Sequence, residues 1–216
     1  MKLLVLGASG RTGKRVAALA LQKGHQVAAI VRSPEKVADL KVEVFQGTPY
    51  DCETVERALK GCEAVVNVLN VSRESDNPWA RLASPPDLIS RSCANALQAM
   101  EKLGVKRYAA LSAVGAGDSW RLLPLVVRLV VRYSNLKAAF DDHTVQERLL
   151  VKSSADYTVV RAPMLTDKAN PSGVLVVRPG EKMKGSLSRQ SAADLLLSIL
   201  ESGQHAREII HISNRS

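Results

Sequence analysis

Three glycines near the start of the chain have a spacing that could bind phosphate. Gly7, Gly10 and Gly13 form the pattern G-x-x-G-x-x-G within the opening residues K-L-L-V-L-G-A-S-G-R-T-G. We expect Gly7 to permit a sharp turn, Gly10 to let the backbone approach a pyrophosphate, and Gly13 to let a helix pack closely on a strand. The N–H groups at the start of that helix would face the anion.

A strand and a helix must flank these glycines if the pattern is to bind a dinucleotide. The apolar run Leu3 to Leu6 predicts the strand, and the run Lys14 to Gln22 predicts the helix. The simplest dinucleotide fingerprint is G-x-G-x-x-G, from which this spacing departs, so a plain turn is the alternative. Strand, turn and helix together favour the nucleotide site.

Basic residues after the second predicted strand indicate which dinucleotide binds. Residues 25–32 read H-Q-V-A-A-I-V-R and predict a strand ending at Arg32; Ser33 and Lys36 lie just beyond it, and Arg11 lies in the glycine turn. An acidic residue at this point holds the ribose of NAD, whereas a basic residue accommodates the 2′-phosphate of NADP. Solvated surface charge is the alternative. Because the strand end is basic and has no acid, the sequence favours NADP(H).

Strand-like and helix-like stretches alternate along the rest of the chain. Strands are predicted at 42–47, 63–70, 106–117, 157–161, 174–178 and 208–213, and helices at 53–59, 86–104, 135–152 and from Ser188 onward. With 46% hydrophobic but only 4% aromatic residues, the core must consist of Val, Leu, Ile and Ala in strands buried on both faces. We therefore predict an α/β fold, a doubly wound parallel sheet of the Rossmann type with helices on both faces. Residues 1–216 would form one domain, with a small substrate-side lobe from about 119–136 and 163–190.

Composition argues against several other classes of protein. The net charge of +9 fits phosphorylated ligands, but the basic residues are scattered without a nucleic-acid motif, so we expect no nucleic-acid partner. Cys52, Cys62 and Cys93 are odd in number and form no C-x-x-C pair, which argues against a disulfide framework and against a metal site. The opening apolar run breaks at Gly7 without a cleavage pattern, so we expect a cytoplasmic protein.

Two segments admit more than one interpretation. Residues 71–87 are polar and contain prolines; with Trp79 and Arg81 they could form a substrate wall, or equally a disordered surface loop. Residues 119–136 are apolar but interrupted by arginines, and too short for a membrane span, so no stable membrane insertion is expected. Packing on the protein's own domain is favoured, while a membrane surface, a partner and the lip of the active site stay open. The segment could also pack on a second copy, and we expect a monomer or weak homodimer.

Several motifs resemble those of the atypical short-chain dehydrogenases that bind NAD(P)H, including the biliverdin reductase B/flavin reductase type and the NmrA-like proteins. The shared stretches are G-A-S-G-R-T-G, V-R-S after the second strand, S-A-V-G at the end of the fifth, V-V-R-A-P-M-L-T-D and S-L-S-R-Q-S-A-A-D-L. The resemblance spans nearly the whole chain and is specific for the superfamily, but less so for any one member. It implies a doubly wound sheet with phosphates on the glycine turn and the 2′-phosphate near Arg32.

The resemblance also implies where the cofactor NADP(H) lies. Residues 69–70 would lie beside its middle, 112–113 near the nicotinamide, and 163–164 on the carboxamide side. The family usually has a Gly-Asp pair after the third strand, whereas this chain has Gly47 and Thr48, which puts the adenine contact in doubt. The residues expected to contact the cofactor are Gly7, Ser9, Gly10, Arg11, Thr12, Gly13, Arg32, Ser33, Lys36, Thr48, Leu69, Asn70, Ser112, Ala113, Pro163 and Met164.

A proton donor for catalysis is harder to identify. Standard short-chain dehydrogenases use a Ser, a Tyr and a Lys, with Tyr-x-x-x-Lys on one face of a helix. Tyr133 and Lys137 have this spacing, with Ser112 upstream. The spacing is common by chance, so it carries little weight alone.

The register of the family's helix argues against Tyr133. Glu147 and Arg161 match a Glu on that helix and an Arg at the end of the next strand. Counting back from Glu147, the Lys position holds His143 and the Tyr position holds Ala139. His143 resembles the D-D-H of the flavin reductase type, although a structural histidine is an equal alternative. Ser112 and His143 are therefore the catalytic candidates.

Two classes of function fit this sequence. The first is an NADPH-dependent reductase that transfers hydride to a planar small-molecule acceptor such as a flavin, a quinone or a linear tetrapyrrole. The second is a non-catalytic NADP(H) sensor of the NmrA-like type, which the missing Tyr and Lys favour. The compact length favours the reductase, and an isomerase or assembly factor that retains the cofactor stays open.

Overall fold

The computed structural model describes residues 1–168, 173–177, 183 and 185–214. Within them the strands are β1 Lys2–Leu6, β2 Gln26–Val31, β3 Glu43–Gln46, β4 Ala64–Asn67, β5 Arg107–Ala113, β6 Asp156–Ala162, β7 Met164–Thr166, β8 Val174–Val177, β9 Ser186–Ser188 and β10 Glu208–Asn214. The helices are α1 Arg11–Gln22, α2 Cys52–Leu59, α3 Leu88–Leu103, α4 Leu125–Arg132, α5 Leu136–Lys152 and α6 Arg189–Ser202. Two 3₁₀ turns are described, at Pro34–Val37 and Gly117–Leu122.

Eight strands form one sheet in the order β3-β2-β1-β4-β5-β6-β10-β8. All pairs from β3 to β10 are parallel, and only β8 at the edge runs antiparallel to its neighbour β10. The strand order reverses between β1 and β4, where ligands bind in open α/β sheets. The predicted doubly wound Rossmann sheet is confirmed.

Helices cover both faces of this sheet, because each strand points alternate side chains to opposite faces. Leu3 and Val5 of β1 pack in a core beneath α1 and α6, which contact each other. Leu4 and Leu6 of β1 pack in a second core beneath α2, α3 and α5. A strand buried on both faces reads as an uninterrupted apolar run, which is why β1 is apolar throughout its middle.

The ends of several elements follow from single residues. The Asp51 carboxylate accepts the Thr54 amide at 3.0 Å and caps the start of α2. The Ser188 hydroxyl accepts the Gln190 amide at 3.1 Å and starts α6. β5 ends at Ala113, earlier than predicted, because a left-handed backbone at Gly115, with φ of +107°, breaks the extended chain.

The predicted substrate-side lobe differs from the structure in one respect. β7 and β9 form a separate two-stranded parallel sheet, but β8 extends the main sheet through its pairing with β10. Residues 169–172, 178–182 and 184 of the predicted lobe, including the predicted strand end at 178, lie outside the described residues.

Within the described part of the chain, no helix is long and apolar enough to cross a membrane, and no cluster of His, Cys, Asp and Glu could hold a metal ion. Cys52, Cys62 and Cys93 are free thiols. The cytoplasmic location and the oligomeric state stay predictions.

Candidate functional site

The glycine turn between β1 and α1 is a tightly packed bend of backbone. Gly7 has φ of +89°, a left-handed conformation that favours glycine, and a Cβ there would lie 3.2 Å from the Leu69 amide nitrogen. The Gly10 amide donates to the Gly7 carbonyl at 2.9 Å and closes the turn. At Gly13 a Cβ would lie 2.0 Å from the Gly7 oxygen. Helix α1 therefore packs against the turn at a distance that only glycine allows.

The start of α1 offers amide groups to an anion. The helix begins at Arg11, three residues earlier than predicted; Gly10 before it is extended, and no side-chain hydrogen bond caps the helix. The first intrahelical bond runs from the Lys14 amide to the Gly10 carbonyl, at 2.9 Å. The amides of Arg11, Thr12 and Gly13 lie before that bond, so the helix itself provides no carbonyl to accept from them. Such a cradle of backbone N–H groups at a positive helix end fits a pyrophosphate.

The predicted cofactor contacts lie along one edge of the sheet, at the carboxyl ends of neighbouring parallel strands. Arg32 follows β2, Gly7 follows β1, residues 69–70 follow β4, 112–113 end β5, and 163 follows β6. The three steps from β2 to β5 span about 14 Å at the usual strand spacing. A dinucleotide laid across this edge would have its adenine half at β2 and its nicotinamide at β5 and β6.

Asn67 fixes the backbone beside the glycine turn, a role that sequence reasoning missed. Its amide oxygen accepts the Leu69 amide at 3.0 Å, and its Nδ2 donates to the Gln146 oxygen at 2.7 Å and lies 2.9 Å from the Tyr108 hydroxyl. Asn67 is 1% exposed. The loop predicted to face the middle of the cofactor is thus held by a buried network, which only the folded packing of β4, β5 and α5 reveals.

The adenine end has an exposed cation and a hydroxyl. Arg32 is exposed, and its side chain makes no ion pair within the described residues. Ser33 precedes the 3₁₀ turn Pro34–Val37, and Lys36 in that turn is also exposed. The Thr48 hydroxyl oxygen accepts the Tyr50 amide at 3.3 Å. An unpaired guanidinium at the end of β2 suits a terminal phosphate.

Two acidic side chains pair with arginines at and near the glycine turn, and no local pattern in the sequence predicts these contacts. Asp167, just after β7, lies 3.0 Å from Arg15, 3.0 Å from Arg189 and 3.9 Å from Arg11. Arg11 also pairs with Asp76 of the 71–87 loop at 3.1 Å. Asp167 is the last residue of the motif V-V-R-A-P-M-L-T-D, but the motif alone does not show which basic side chains its carboxylate contacts. The turn is therefore linked to two loops through Arg11.

Ser112 at the end of β5 belongs to a buried ionic cluster. Its hydroxyl donates to the Glu147 carboxylate at 2.7 Å, and the Arg161 guanidinium binds the same carboxylate through Nε at 3.0 Å and Nη2 at 2.7 Å. Ser112, Glu147 and Arg161 are 4%, 3% and 4% exposed. Arg161 also binds Asp118 at 2.6 Å, which lowers the pKa of that carboxyl. The candidate serine thus lies at the end of β5, where the nicotinamide is predicted, and its proton is directed at Glu147.

His143 lies one turn before Glu147 on the same face of α5. It is 6% exposed, and burial lowers its pKa to about 4. Its Nδ1 is buried and has no hydrogen-bond partner among the residues that the structure describes. The imidazole is therefore neutral at pH 7, so one ring nitrogen can donate and the other can accept a hydrogen bond, but the acidic second proton of an imidazolium is missing.

Asp142, beside His143, has a structural role. One carboxylate oxygen accepts the Ile89 amide at 2.6 Å and the other accepts the Ser90 amide at 3.1 Å, so Asp142 caps α3 from α5. Burial raises its pKa, while these bonds oppose the shift. The middle acid of the D-D-H motif thus fastens two helices together.

Tyr133 and Lys137 do not share a helix face. Tyr133 ends α4 and is 68% exposed, whereas Lys137 lies in the first turn of α5 and pairs with Asp141. Their i,i+4 spacing therefore lacks the geometry that a Tyr-Lys pair requires.

Residues 71–87 form an ordered hairpin and not the disordered loop that was one of the two expectations. Ser72 and Ala83 are joined by a backbone bond of 2.8 Å. The Asn135 side chain donates to the carbonyls of Trp79 and Ala80, and the Trp79 indole donates to the Tyr133 carbonyl at 2.9 Å. The hairpin is thus fixed to the junction of α4 and α5.

A cleft opens between the 3₁₀ turn Gly117–Leu122, α4 and α5. It has a volume of about 400 Å³ and includes Gly115, Trp120, Val131 and Phe140 in its lining. The Trp120 and Phe140 rings meet edge to face at 6.4 Å. The lining also includes Arg132, Lys137, Asp141 and Thr144, so the cleft has both apolar and charged walls. Because Gly115 follows β5, the cleft lies beyond the end of the sheet at which the nicotinamide is predicted.

The fold and the glycine turn define a dinucleotide-binding protein of the Rossmann class. The chain belongs to the NAD(P)H-binding family, since the sequence model of that family matches residues 7–203. This match confirms the predicted family and the nicotinamide dinucleotide cofactor. The individual contact residues and the catalytic candidates stay predictions.

Relatives and solved structures agree with this membership. The photosystem II assembly factor Ycf39 of Synechocystis is 26% identical over 164 residues, which cover 74% of this chain and 44% of that protein. The chain thus matches less than half of the length of that relative. ChuY, an anaerobillin reductase from Escherichia coli O157:H7, superposes with a TM-score of 0.83 at 20% identity, covering 100% of this chain and 98% of ChuY. A short-chain dehydrogenase/reductase of Veillonella parvula, solved with NADP, superposes with a TM-score of 0.78 at 16% identity, covering 100% and 95% of the two chains. At these identities the structures show a shared fold.

Proposed function

We propose that the protein is an NADPH-dependent reductase that transfers hydride to a planar acceptor such as a flavin, a quinone or a linear tetrapyrrole. The observation that carries this proposal is the state of the side chains at the nicotinamide end. Ser112 directs its proton at Glu147, and His143 is neutral. Neither catalytic candidate is set up as a strong proton donor, so an acceptor that takes its proton from water suits the site best.

The bound cofactor would supply the hydride, and the protein's residues would position it. The amides of residues 11–13 would bind the pyrophosphate, and the loop fixed by Asn67 would face the middle of the cofactor. The cleft beyond β5 supports the same proposal, since the Trp120 and Phe140 rings in its lining suit a flat ring system.

Replacing Arg32 with alanine tests the proposed preference for NADPH. We expect the Kd for NADPH to rise about 10–100-fold, the worth of a charged hydrogen bond, and the Kd for NADH to change less than about threefold. Titration of protein fluorescence with each cofactor measures both values. Lys41→Ala is the control, because it removes an exposed charge at the amino-terminal side of β3. Equal effects of Arg32→Ala on the two cofactors would refute the 2′-phosphate assignment.

Two substitutions that remove a hydroxyl group test the proposal that no side chain acts as the general acid. Ser112→Ala should slow turnover less than about tenfold, below the 10²–10⁴-fold that a general acid contributes, and Tyr133→Phe should leave it unchanged. The measurement is the initial rate of NADPH oxidation, with thermal unfolding as the check that Ser112→Ala is folded. Complete loss of activity in Tyr133→Phe would show that Tyr133 is the acid.

A non-catalytic NADP(H) sensor is the second candidate, and one observation favours it. Arg11 connects the glycine turn to Asp76 and Asp167 on two separate loops. A pyrophosphate at the turn would compete for this guanidinium, so occupancy of the site could alter the outer surface of the hairpin at 71–87. Similarity to an assembly factor is compatible with such a role.

A panel of acceptors separates the two candidates. The protein is mixed with NADPH and, in turn, with FMN, a soluble quinone and biliverdin, and absorbance at the nicotinamide band is followed. Turnover with a planar acceptor supports the reductase. Tight NADPH binding without turnover of any acceptor would favour the sensor.

A further inference from the structure

The outer face of α4 exposes an unusual row of apolar side chains. Leu125, Val126, Leu129 and Tyr133 are 63%, 72%, 47% and 68% exposed. They follow the spacing i, i+1, i+4 and i+8, so they share one side of the helix. Only Val131 of α4 is buried, at 1% exposure. The expectation that this segment packs on its own domain therefore holds for the inner side alone.

The segment that carries this row contains cations but no acids. Residues 119–140 contain Arg121, Arg128, Arg132 and Lys137 but no Asp or Glu. The acids that bound the segment are both engaged, Asp118 with Arg161 and Asp141 with Lys137. The face is thus apolar in its centre and positive at its edge.

Two aromatic side chains with polar groups complete the surface. Trp79 is 59% exposed, and its indole nitrogen bonds to the Tyr133 carbonyl, which brings the hairpin at 71–87 against the end of α4. The Arg132 guanidinium lies 5.8 Å from the centre of the Tyr133 ring. Trp and Tyr are enriched at the boundary between lipid and water, where an apolar ring and a polar edge are both satisfied.

We propose that this face, which we name the α4 face (Leu122, Leu125, Val126, Leu129, Tyr133 and Trp79, with Arg121 and Arg132), docks on the surface of an anionic lipid bilayer. The apolar row would enter the boundary between headgroups and acyl chains, and the arginines would meet the phosphates of anionic lipids. No residue would span the membrane, and binding would be reversible.

The same observations disfavour the other occupants. A second copy would bring further arginines and no carboxylate from residues 119–140 to pair with them. A standard protein interface uses about 20–30 residues on each side, whereas this face offers one short helix and a hairpin tip. An anionic lipid surface matches both features of the face: its phosphates can pair with the arginines, and its acyl region can take up the apolar row.

Sedimentation with vesicles tests the proposal on the full chain. The wild-type protein should bind vesicles of phosphatidylglycerol and phosphatidylcholine at a ratio of about 3:7, bind pure phosphatidylcholine at least tenfold more weakly, and lose affinity as salt rises. The double variant Leu125→Gln/Val126→Gln should bind at least tenfold more weakly. Arg121→Gln/Arg132→Gln should lose about fivefold for each arginine.

Matched control variants show whether binding depends on this face or on exposed apolar and basic residues in general. Val44→Gln/Val151→Gln removes two apolar side chains exposed by 40% and 48% on β3 and α5, and Arg57→Gln/Lys60→Gln removes two charges around the end of α2. Both should bind as the wild type does. If either control loses as much affinity as its partner variant, the proposal is wrong.

Tryptophan fluorescence of the wild-type protein tests the proposal even if the variants misfold. The protein has two tryptophans, and Trp79 is the exposed one, so its emission should shift to shorter wavelength on anionic vesicles and be quenched by brominated lipid. Absence of both vesicle binding and the shift overturns the proposal. So does self-association that Leu125→Gln/Val126→Gln abolishes in a protein that ignores vesicles, because a second copy would then cover the face.

Discussion

Replacing Gly13 with alanine is expected to abolish NAD(P)H binding and to lower the free energy of unfolding by about 3 kcal/mol or more. The added Cβ would lie 2.0 Å from the Gly7 oxygen, 2.6 Å from the Gly7 carbonyl carbon and 2.8 Å from the Ala8 Cα. All three are backbone atoms, so no side chain can move aside. Helix α1 must shift away from β1, and its free amides shift with it. Equilibrium titration with NADPH and urea unfolding measure the two effects.

Alanine substitutions at two other glycines serve as comparisons for Gly13→Ala. Gly185→Ala places its Cβ in open space at an ordinary backbone conformation, so binding should be unchanged and stability should change by less than about 0.5 kcal/mol. Gly10→Ala should be intermediate, since its Cβ would lie 3.2 Å from the Gly7 oxygen. A Gly13→Ala protein that binds NADPH with the wild-type Kd would show that the phosphates bind elsewhere.

The fold was predictable because its signals are local. The apolar run of β1, the glycine turn and the caps at Asp51 and Ser188 each depend on residues a few positions apart, and the structure has all of them. Parallel pairing then brings the carboxyl ends of the strands to one edge, so the positions of Arg32 and of residues 112–113 along that edge followed without knowledge of any contact.

The contacts that complete the site depend on packing between distant parts of the chain. Asp142 caps a helix 53 residues away, and Asn67 meets Gln146 across 79 residues. Asp167 reaches cations on α1 and α6. An Asp or Asn looks the same in sequence whether it is solvated or buried, so no local pattern distinguishes these residues.

The exposure of α4 was unpredictable for a different reason. The helix reads L-V-V-R-L-V-V-R, which is apolar on nearly every side, so periodicity cannot show which side faces the core. In the structure the side of Val131 faces inward and the side of Val126 faces out. An apolar row that the domain leaves uncovered is the feature on which the membrane proposal depends.

Replacing Glu147 with glutamine is expected to destabilise the protein by about 3 kcal/mol, because breaking a buried ion pair leaves one charge unpaired. Glu147 and Arg161 are both almost fully buried, and the carboxylate accepts two bonds from the guanidinium and one from Ser112. Glutamine keeps the size of the side chain but not its charge. The remaining partner, Asp118, is 89% exposed and compensates poorly. Urea unfolding measures the loss.

A double-mutant cycle shows whether the pair itself is responsible. Glu147→Gln and Arg161→Met should each be strongly destabilising, but the double variant should cost less than their sum, because no buried charge is left unpaired. Glu56→Gln is the surface control: it breaks the exposed contact with Lys102, 2.8 Å long, and should leave stability nearly unchanged. If Glu147→Gln is as mild as this control, the cluster does not anchor β5 to α5 and β6. The position of Ser112 at the end of β5 would then depend on the strand alone.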